Sequence, residues 1–354
     1  MSKLEQNIIS HQIWLQRLGT QTASLSIPFV NRMKAEVKEA VQAFGDDART
    51  VKKLNKMLAS LESVLDDVTG DWKSTIEKSL KEIADYENKW FRHTLTDNLR
   101  EEKRSFVSGP TAEELWAAVK FVPLSLNDKP VGLIDLLDGW TTSEKNRLAR
   151  GVQSGFVQGM TTRQIVQQTV GAGGLADISL RDAFTIAHTG VAHVSNVARD
   201  ELYKANDDIV SKYRIVATLD GRTSATCRGL DSQVFPVGKG PLPPFHPRCR
   251  TTTTPVIDDD FLSFLDEGAM RAARGADGGT QVAANTSYYE FLKNQPAWFQ
   301  DQAIGPTRGA ILRNSGMTPE EFRAASIDGF GRPLTLKEMA EVDSRVANYL
   351  AGNS

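Results

Sequence analysis

Residues 216–255 read VATLDGRTSATCRGLDSQVFPVGKGPLPPFHPRCRTTTTP. Both cysteines of the chain, Cys227 and Cys249, lie in this stretch, with His246, one of five histidines. Turn residues crowd between β-branched runs, which predicts three short strands at 213–219, 233–235 and 251–254. A module of that size, 213–255, buries too little apolar surface to hold itself together and needs a staple. Cys227 precedes Cys249 by 22 residues, and His246-Pro-Arg-Cys249 makes a tight knuckle in which proline fixes the turn. Zinc takes four N, S or O ligands in a tetrahedron, with thiolate and imidazole as its usual donors. Three are visible here. Asp220, Asp231 and Ser224 are the candidates for the fourth, Ser224 standing where a Cys-x-x-Cys pair would have its first cysteine. The competing reading is two packed free thiols, with His246 hydrogen-bonded to Asp220 or to a backbone carbonyl.

The same residues also suggest a catalytic use. Cys227 with His246 and a nearby aspartate could serve as nucleophile and base in a hydrolase or transferase. The surrounding arginines, threonines and prolines offer no recognisable oxyanion device. A zinc deaminase requires a glutamate close behind its histidine ligand, and no glutamate lies between Arg214 and Asp266. Gly238-Lys-Gly240 lacks the spacing of a phosphate loop. The expectation is therefore a protein that is not an enzyme. Arg222, Arg228, Arg248 and Arg250 could meet carboxylates or DNA phosphates, although at least half of them are expected to be ion-pair partners inside the fold.

Outward from the knuckle the chain reads as mainly α, with a long N-terminal helical hairpin or bundle, a helical middle domain carrying the small α+β Cys/His knuckle, and a helical C-terminal tail. Residues 1–108 form the long-helix region. Leu4, Ile8, Leu15 and Leu18, then Met33, Val37 and Val41, recur at helical spacing, with Pro28 predicting a break near Ser26. Gly45-Asp46-Asp47 predicts a stop and a new cap. Val51, Leu54, Leu58, Leu61, Leu65 and Val68 step by three and four, a heptad seam. Gly70-Asp71 predicts its interruption before a stripe from Trp72 to Trp90. These stripes are expected to be core, with docking onto a partner as the other use. Residues 109–274 form the middle domain. Thr111, Thr141 and Thr161 each begin a capping box that predicts a helix start, and Ser179 is expected to cap a strong helix through Leu202. His188 and His193 do not share a helical face and are expected in surface or packing roles. A helix is predicted over 261–274 and a linker over 275–280. Residues 275–354 form the tail, with capping boxes at Thr318 and Thr335.

Lysine plus arginine number 42 against 44 acidic residues, so a net charge of −2 gives no global field for nucleic acid. Two cysteines fit synthesis in a reducing compartment. Neither a signal peptide nor a membrane-spanning run is expected, which predicts a protein made and kept soluble in the cytoplasm, with its final address left open.

Asp220-Gly-Arg-Thr223, Cys227-Arg-Gly-Leu-Asp231, Val234-Phe235 and Pro243-Pro-Phe-His-Pro-Arg-Cys-Arg250 together resemble the phage Mu F-like family of minor head, or head-morphogenesis, proteins. The helix from Ile186 through Asn196 and Ala198 stands in the place of that family's preceding helix, although His188 and Gly190 depart from its commonest letters. Residues 287–301 and 304–308 are similar to the segment downstream of the motif in relatives. The likeness covers about 140–340 and leaves out 1–105; Ser224 replaces a cysteine found in some members. The resemblance implies a virion protein present in a few copies, associated with portal protein and major capsid protein, and acting in capsid assembly and in packaging or delivery of viral DNA. It implies no membrane partner. Structural zinc held by Cys227, His246, Cys249 and Asp220 is the cofactor expectation, and a DNA-binding knuckle is the alternative use.

Overall fold

The computed structural model describes residues 3–45, 50–126, 129–263, 268–329 and 331–352. It is mainly α, as the periodicity predicts. Helices α1 (Lys3–Ser24) and α2 (Ile27–Phe44) meet at a break around Ser26. Pro28 lies in the first turn of α2, where its missing N–H leaves no bond unmade. Thr50 caps α3 (Val51–Asn98) by accepting the N–H of Lys53. The predicted cap at Asp46 and Asp47 lies outside the described residues.

The predicted interruption at Gly70-Asp71 is absent, and α3 runs 48 residues without a break. An exposed mid-helix glycine costs only about 1 kcal/mol. On either side Leu65, Val68, Trp72 and Ile76 are all buried. Trp72 packs 3.9 Å from Trp140 and donates its indole N–H to Ser26. Packing outweighs propensity here.

The short α4 (Glu101–Arg104) leads to α5 (Ala112–Phe121), capped by the predicted box at Thr111. Strands β1 (Leu124–Leu126) and β2 (Lys129–Val131) then pair antiparallel. Two predicted helix starts are corrected. Helix α6 (Leu133–Val157) passes straight through Thr141, because Glu144 is buried and accepts from Ser179 instead of capping. After α7 (Thr162–Val170), capped at Thr161, helix α8 (Leu175–Ala205) begins four residues before Ser179, whose hydroxyl is held by that same glutamate.

Helix α8 is the axle of the molecule. Residues 189–200 are buried on every face, with α1, α2, α3, α5, α6 and α7 packed around the helix. Such encirclement demands small side chains, and a Cβ on Gly190 would stand 3.0 Å from Leu80. It also buries polar groups that must be paired. The fully buried Arg199 faces Glu87 of α3 at 3.4 Å and donates to Thr252; Glu87 also holds His11 of α1 at 2.6 Å.

The knuckle comes next, as β3 (Lys212–Val216), β4 (Leu219–Asp220), α9 (Ala225–Leu230), β5 (Val234–Pro236) and β6 (Thr252–Val256). Its three-stranded antiparallel sheet has the order β5-β3-β6. The predicted helix over 261–274 is corrected at 270–274, its residues 264–267 lying outside the described ones, and the linker over 275–280 is corrected as well. After a 3-10 turn at Asp259–Phe261, β7 (Met270–Gly275) and β8 (Gly278–Ala283) form a hairpin. Ala276-Asp277 forms the turn, and Gly278, at φ 105°, opens β8 opposite Gly275. Burial alternates along β7, Arg271 and Ala273 facing inward, and β7 pairs parallel with β4. Helices α10 (Tyr288–Lys293), α11 (Ala297–Ile304), α12 (Pro306–Asn314), α13 (Pro319–Ser326), α14 (Leu336–Val342) and α15 (Ser344–Gly352) close over that hairpin around a core of Tyr288, Phe291, Leu312 and Phe322.

His193 of α8 is buried with Nε2 2.9 Å from the carbonyl oxygen of Val119. Burial pushes its imidazole down to about 4, the hydrogen bond pulling the other way. In the unfolded chain the group titrates near 6.5. The unfolded state therefore takes the proton first, so this contribution is complete above pH 6.5 and is lost as pH falls toward 4. Denaturant unfolding between pH 7 and pH 4 should show a loss of about 3 kcal/mol from this group. His193→Gln keeps a donor for Val119 and should remove that part of the slope; an unchanged slope in the variant would contradict the assignment.

Candidate metal centre

Three local structures bring the Cys/His residues together. Ser224 caps α9, its Oγ accepting the N–H of Cys227 at 3.2 Å, which sets Cys227 in the first turn of the helix. His246-Pro247-Arg248-Cys249 closes on itself through Cys249 N–H to His246 O at 3.1 Å. Arg248, the third residue of that turn, takes φ 57°, a left-handed conformation that costs a non-glycine residue roughly 1–2 kcal/mol. The turn is tied down on α8. The Arg248 N–H donates to Thr189 Oγ1 and its Nε to Thr185 Oγ1, each at 3.0 Å. Proline fixes the turn as the sequence predicts, and α8 holds its strained corner.

His246 Nε2 lies 3.2 Å from Cys227 Sγ, and the two sulfurs are 3.6 Å apart. All three donor atoms fall within 4.8 Å of one another, the cysteines buried and the histidine half-buried. His246 Nδ1 stands 2.9 Å from the carbonyl oxygen of Pro247. Donating there leaves Nε2 with its lone pair toward the sulfurs, the arrangement that metal-binding histidines use. Cys249 holds the imidazole above its ordinary range. Burial opposes ionisation of Cys249, but Cys227 and His246 beside it bring its thiol below the ordinary range; Cys249, with burial, pushes the Cys227 thiol up. Metal–sulfur bonds of about 2.3 Å and metal–nitrogen bonds of about 2.0 Å in a tetrahedron set donor spacings of roughly 3.5–3.8 Å. The observed separations are close to these, so the cluster could hold a metal ion.

The structure does not bring Asp220 or Asp231 into this group, whereas Ser224 lies beside Cys227. Asp220 accepts two guanidinium bonds from Arg250, at 2.5 and 2.8 Å, and further bonds from the Arg222 N–H and Thr223. Burial works against its ionisation, but those donors, Arg250 foremost, hold its carboxyl below the usual range. Asp231 is buried and accepts from the N–H groups of Ala217 and Tyr288 and from Arg271. Ser224 is engaged as the cap. Cys227 and His246 line a cavity of about 290 Å³, together with Ser224. Of the four arginines, Arg250 and Arg228 are fold-internal, the latter donating to the Thr223 and Ala303 carbonyls. Arg248 is bound along α8, and Arg222 is 80% exposed.

Two buried arginines are not legible in the sequence. Arg271 lies in the segment predicted helical, where a charged residue reads as solvated. Arg199 reads as part of a solvated or salt-bridged face. The stretch 183–200, with its many alanines, valines and one glycine, is the signal that could have marked a helix surrounded on all sides.

Residues 144–254 match the model of the family described as Phage Mu protein F like protein. The chain carries a Mu F-like segment. That segment runs from the middle of α6 to β6 and contains the whole Cys/His cluster; the likeness over 287–308 lies outside it. No curated protein and no solved structure matches the chain. The Mu F-like match points to a phage head-morphogenesis protein, structural in kind and associated with the virion. Among the described residues no helix is long and apolar enough to cross a membrane.

Elemental analysis of the purified chain should find about one equivalent of bound divalent metal, as a Cys2His set supports, and His246→Ala and Cys249→Ala should each lose most of it. A folded wild-type chain free of metal after expression with zinc supplied would leave the cluster as packed thiols.

Proposed function

We propose that this chain is a minor head protein of a phage particle that joins the portal protein and neighbouring major capsid subunits, acts in capsid assembly and in packaging or delivery of viral DNA, and uses zinc as a structural staple in its knuckle. What carries the reading is the coincidence of the Mu F-like match with the Cys/His cluster and the helix on which the knuckle is seated. The metal's role is mechanical. Two thiolates and an imidazole join α9 to the His246–Cys249 turn, and that constraint fixes the loops between them without asking a small sheet to supply a core. The stripes of α1–α3 that were candidates for docking are largely used in packing around α8, which leaves the outer faces of the molecule and the knuckle loops for partners.

Because α1 and α3 pack directly on α8, removing the first hundred residues would disrupt the fold along with any docking surface. The test therefore uses the full chain. Tagged full-length protein should co-purify with the portal protein of its phage, and particles assembled without it should be defective in head maturation or in DNA content. Cys249→Ser, which removes one staple ligand, should weaken portal association while α8 remains folded. Absence of portal association, together with normal DNA-filled heads in its absence, would contradict the proposal. A hydrolytic activity lost in Cys227→Ala while assembly survives would favour the enzyme reading instead.

A further inference from the structure

The cavity that Cys227 and His246 line is also lined by Arg222, Arg248, Arg250 and Thr251. None of its lining residues is acidic. Three arginines contribute to its lining, and the carboxylate that answers them is Asp220, paired with Arg250. Asp220 is engaged bidentately by Arg250, while Arg222 stands 3.7 Å from it with most of its guanidinium in solvent. Arg248 donates to the Thr185 hydroxyl and to the carbonyl oxygen of Arg181. These are neutral acceptors, so its charge is uncompensated by any carboxylate within ion-pairing distance among the described residues. The lining therefore carries three arginines answered by one carboxylate, and it shares Cys227 and His246 with the cluster that offers a metal three donors.

We propose that this cavity is a binding site for a tetrahedral oxyanion of the phosphate class, held by Arg222 and Arg248, with one oxygen at the metal's fourth coordination position. Only that last contact rests on the metal reading given above. A planar carboxylate offers two oxygens in one direction. A phosphate group carries more charge and more oxygens than a carboxylate, which suits three arginines answered by a single carboxylate. A cavity of about 290 Å³ admits such a group with its hydration. Asp220, neutralised by Arg250, does not repel it. Free phosphate and a phosphodiester of DNA share anionic non-bridging oxygens, four in the first and two in the second, and a competition experiment separates the two sources.

The full-length, metal-loaded chain titrated calorimetrically with inorganic phosphate should bind it saturably, tighter than about 1 mM. Arg222 is exposed and outside the core, so Arg222→Glu should weaken binding about tenfold or more without changing metal content or melting. In the cobalt(II)-substituted chain the visible spectrum should shift with the same phosphate dependence. A parallel titration with a short DNA duplex identifies the source: competition with phosphate at the same site points to the phosphodiester, and its absence to the free ion. No saturable phosphate binding, or binding indifferent to Arg222→Glu, would overturn the site. A fixed cobalt spectrum during phosphate binding would overturn the coordination contact. If the chain binds no metal, the staple reading fails separately, and the Arg222-dependent titration of the metal-free chain still decides the arginine site.

Discussion

A single buried carboxylate ties the molecule together. Glu87 lies in the C-terminal half of a 48-residue helix with no exposure, and an isolated charge there would be prohibitively costly. It is answered from one side by Arg199 of α8 and from another by His11 of α1, whose ring stacks 3.5 Å from that of Trp90. Arg199 reaches on to Thr252 in β6. Four elements far apart in sequence thus share one electrostatic knot. Removing one member of such a buried set leaves the others unpaired, which costs about 3–5 kcal/mol, so the arrangement is specified more sharply than apolar packing alone would require.

The knuckle inherits its rigidity from that knot and from a second one. Asp231 collects the N–H groups of Ala217 and Tyr288 and the guanidinium of Arg271, which joins the segment after β3, the β7 hairpin and the C-terminal helices. Between these anchors the strained turn at Arg248 is fastened to Thr185 and Thr189 of α8. Cys227, His246 and Cys249 are therefore brought together by the surrounding body, and a metal would lock an arrangement that already exists.

Much of this was legible in the sequence. Helical stripes, the break at Ser26, the capping boxes at Thr111, Thr161, Thr318 and Thr335, and the three knuckle strands come from period and turn chemistry. So does the Cys/His cluster. The failures share one cause, which is that local signals yield to tertiary partners. Glu144 has the spacing of a capping glutamate but is drawn inward by Ser179. Gly70 has the composition of a break but sits opposite buried packing. The hairpin at 270–283 was hidden because Arg271 reads as a surface residue until Asp231 is seen facing it. The surroundings of Asp220 were hidden for the same reason, since a sequence does not reveal that Arg250 bonds both of its oxygens.

Native-state hydrogen exchange on the intact chain and on Glu87→Ala tests the central claim, that the buried knot makes helical body and knuckle one cooperative unit. The account predicts that the amides of α3, α8, β3 and β6 exchange with similar free energies in the wild type and lose protection together in the variant. Protection lost only around α1 and α3, with β3 and β6 unchanged, would contradict it.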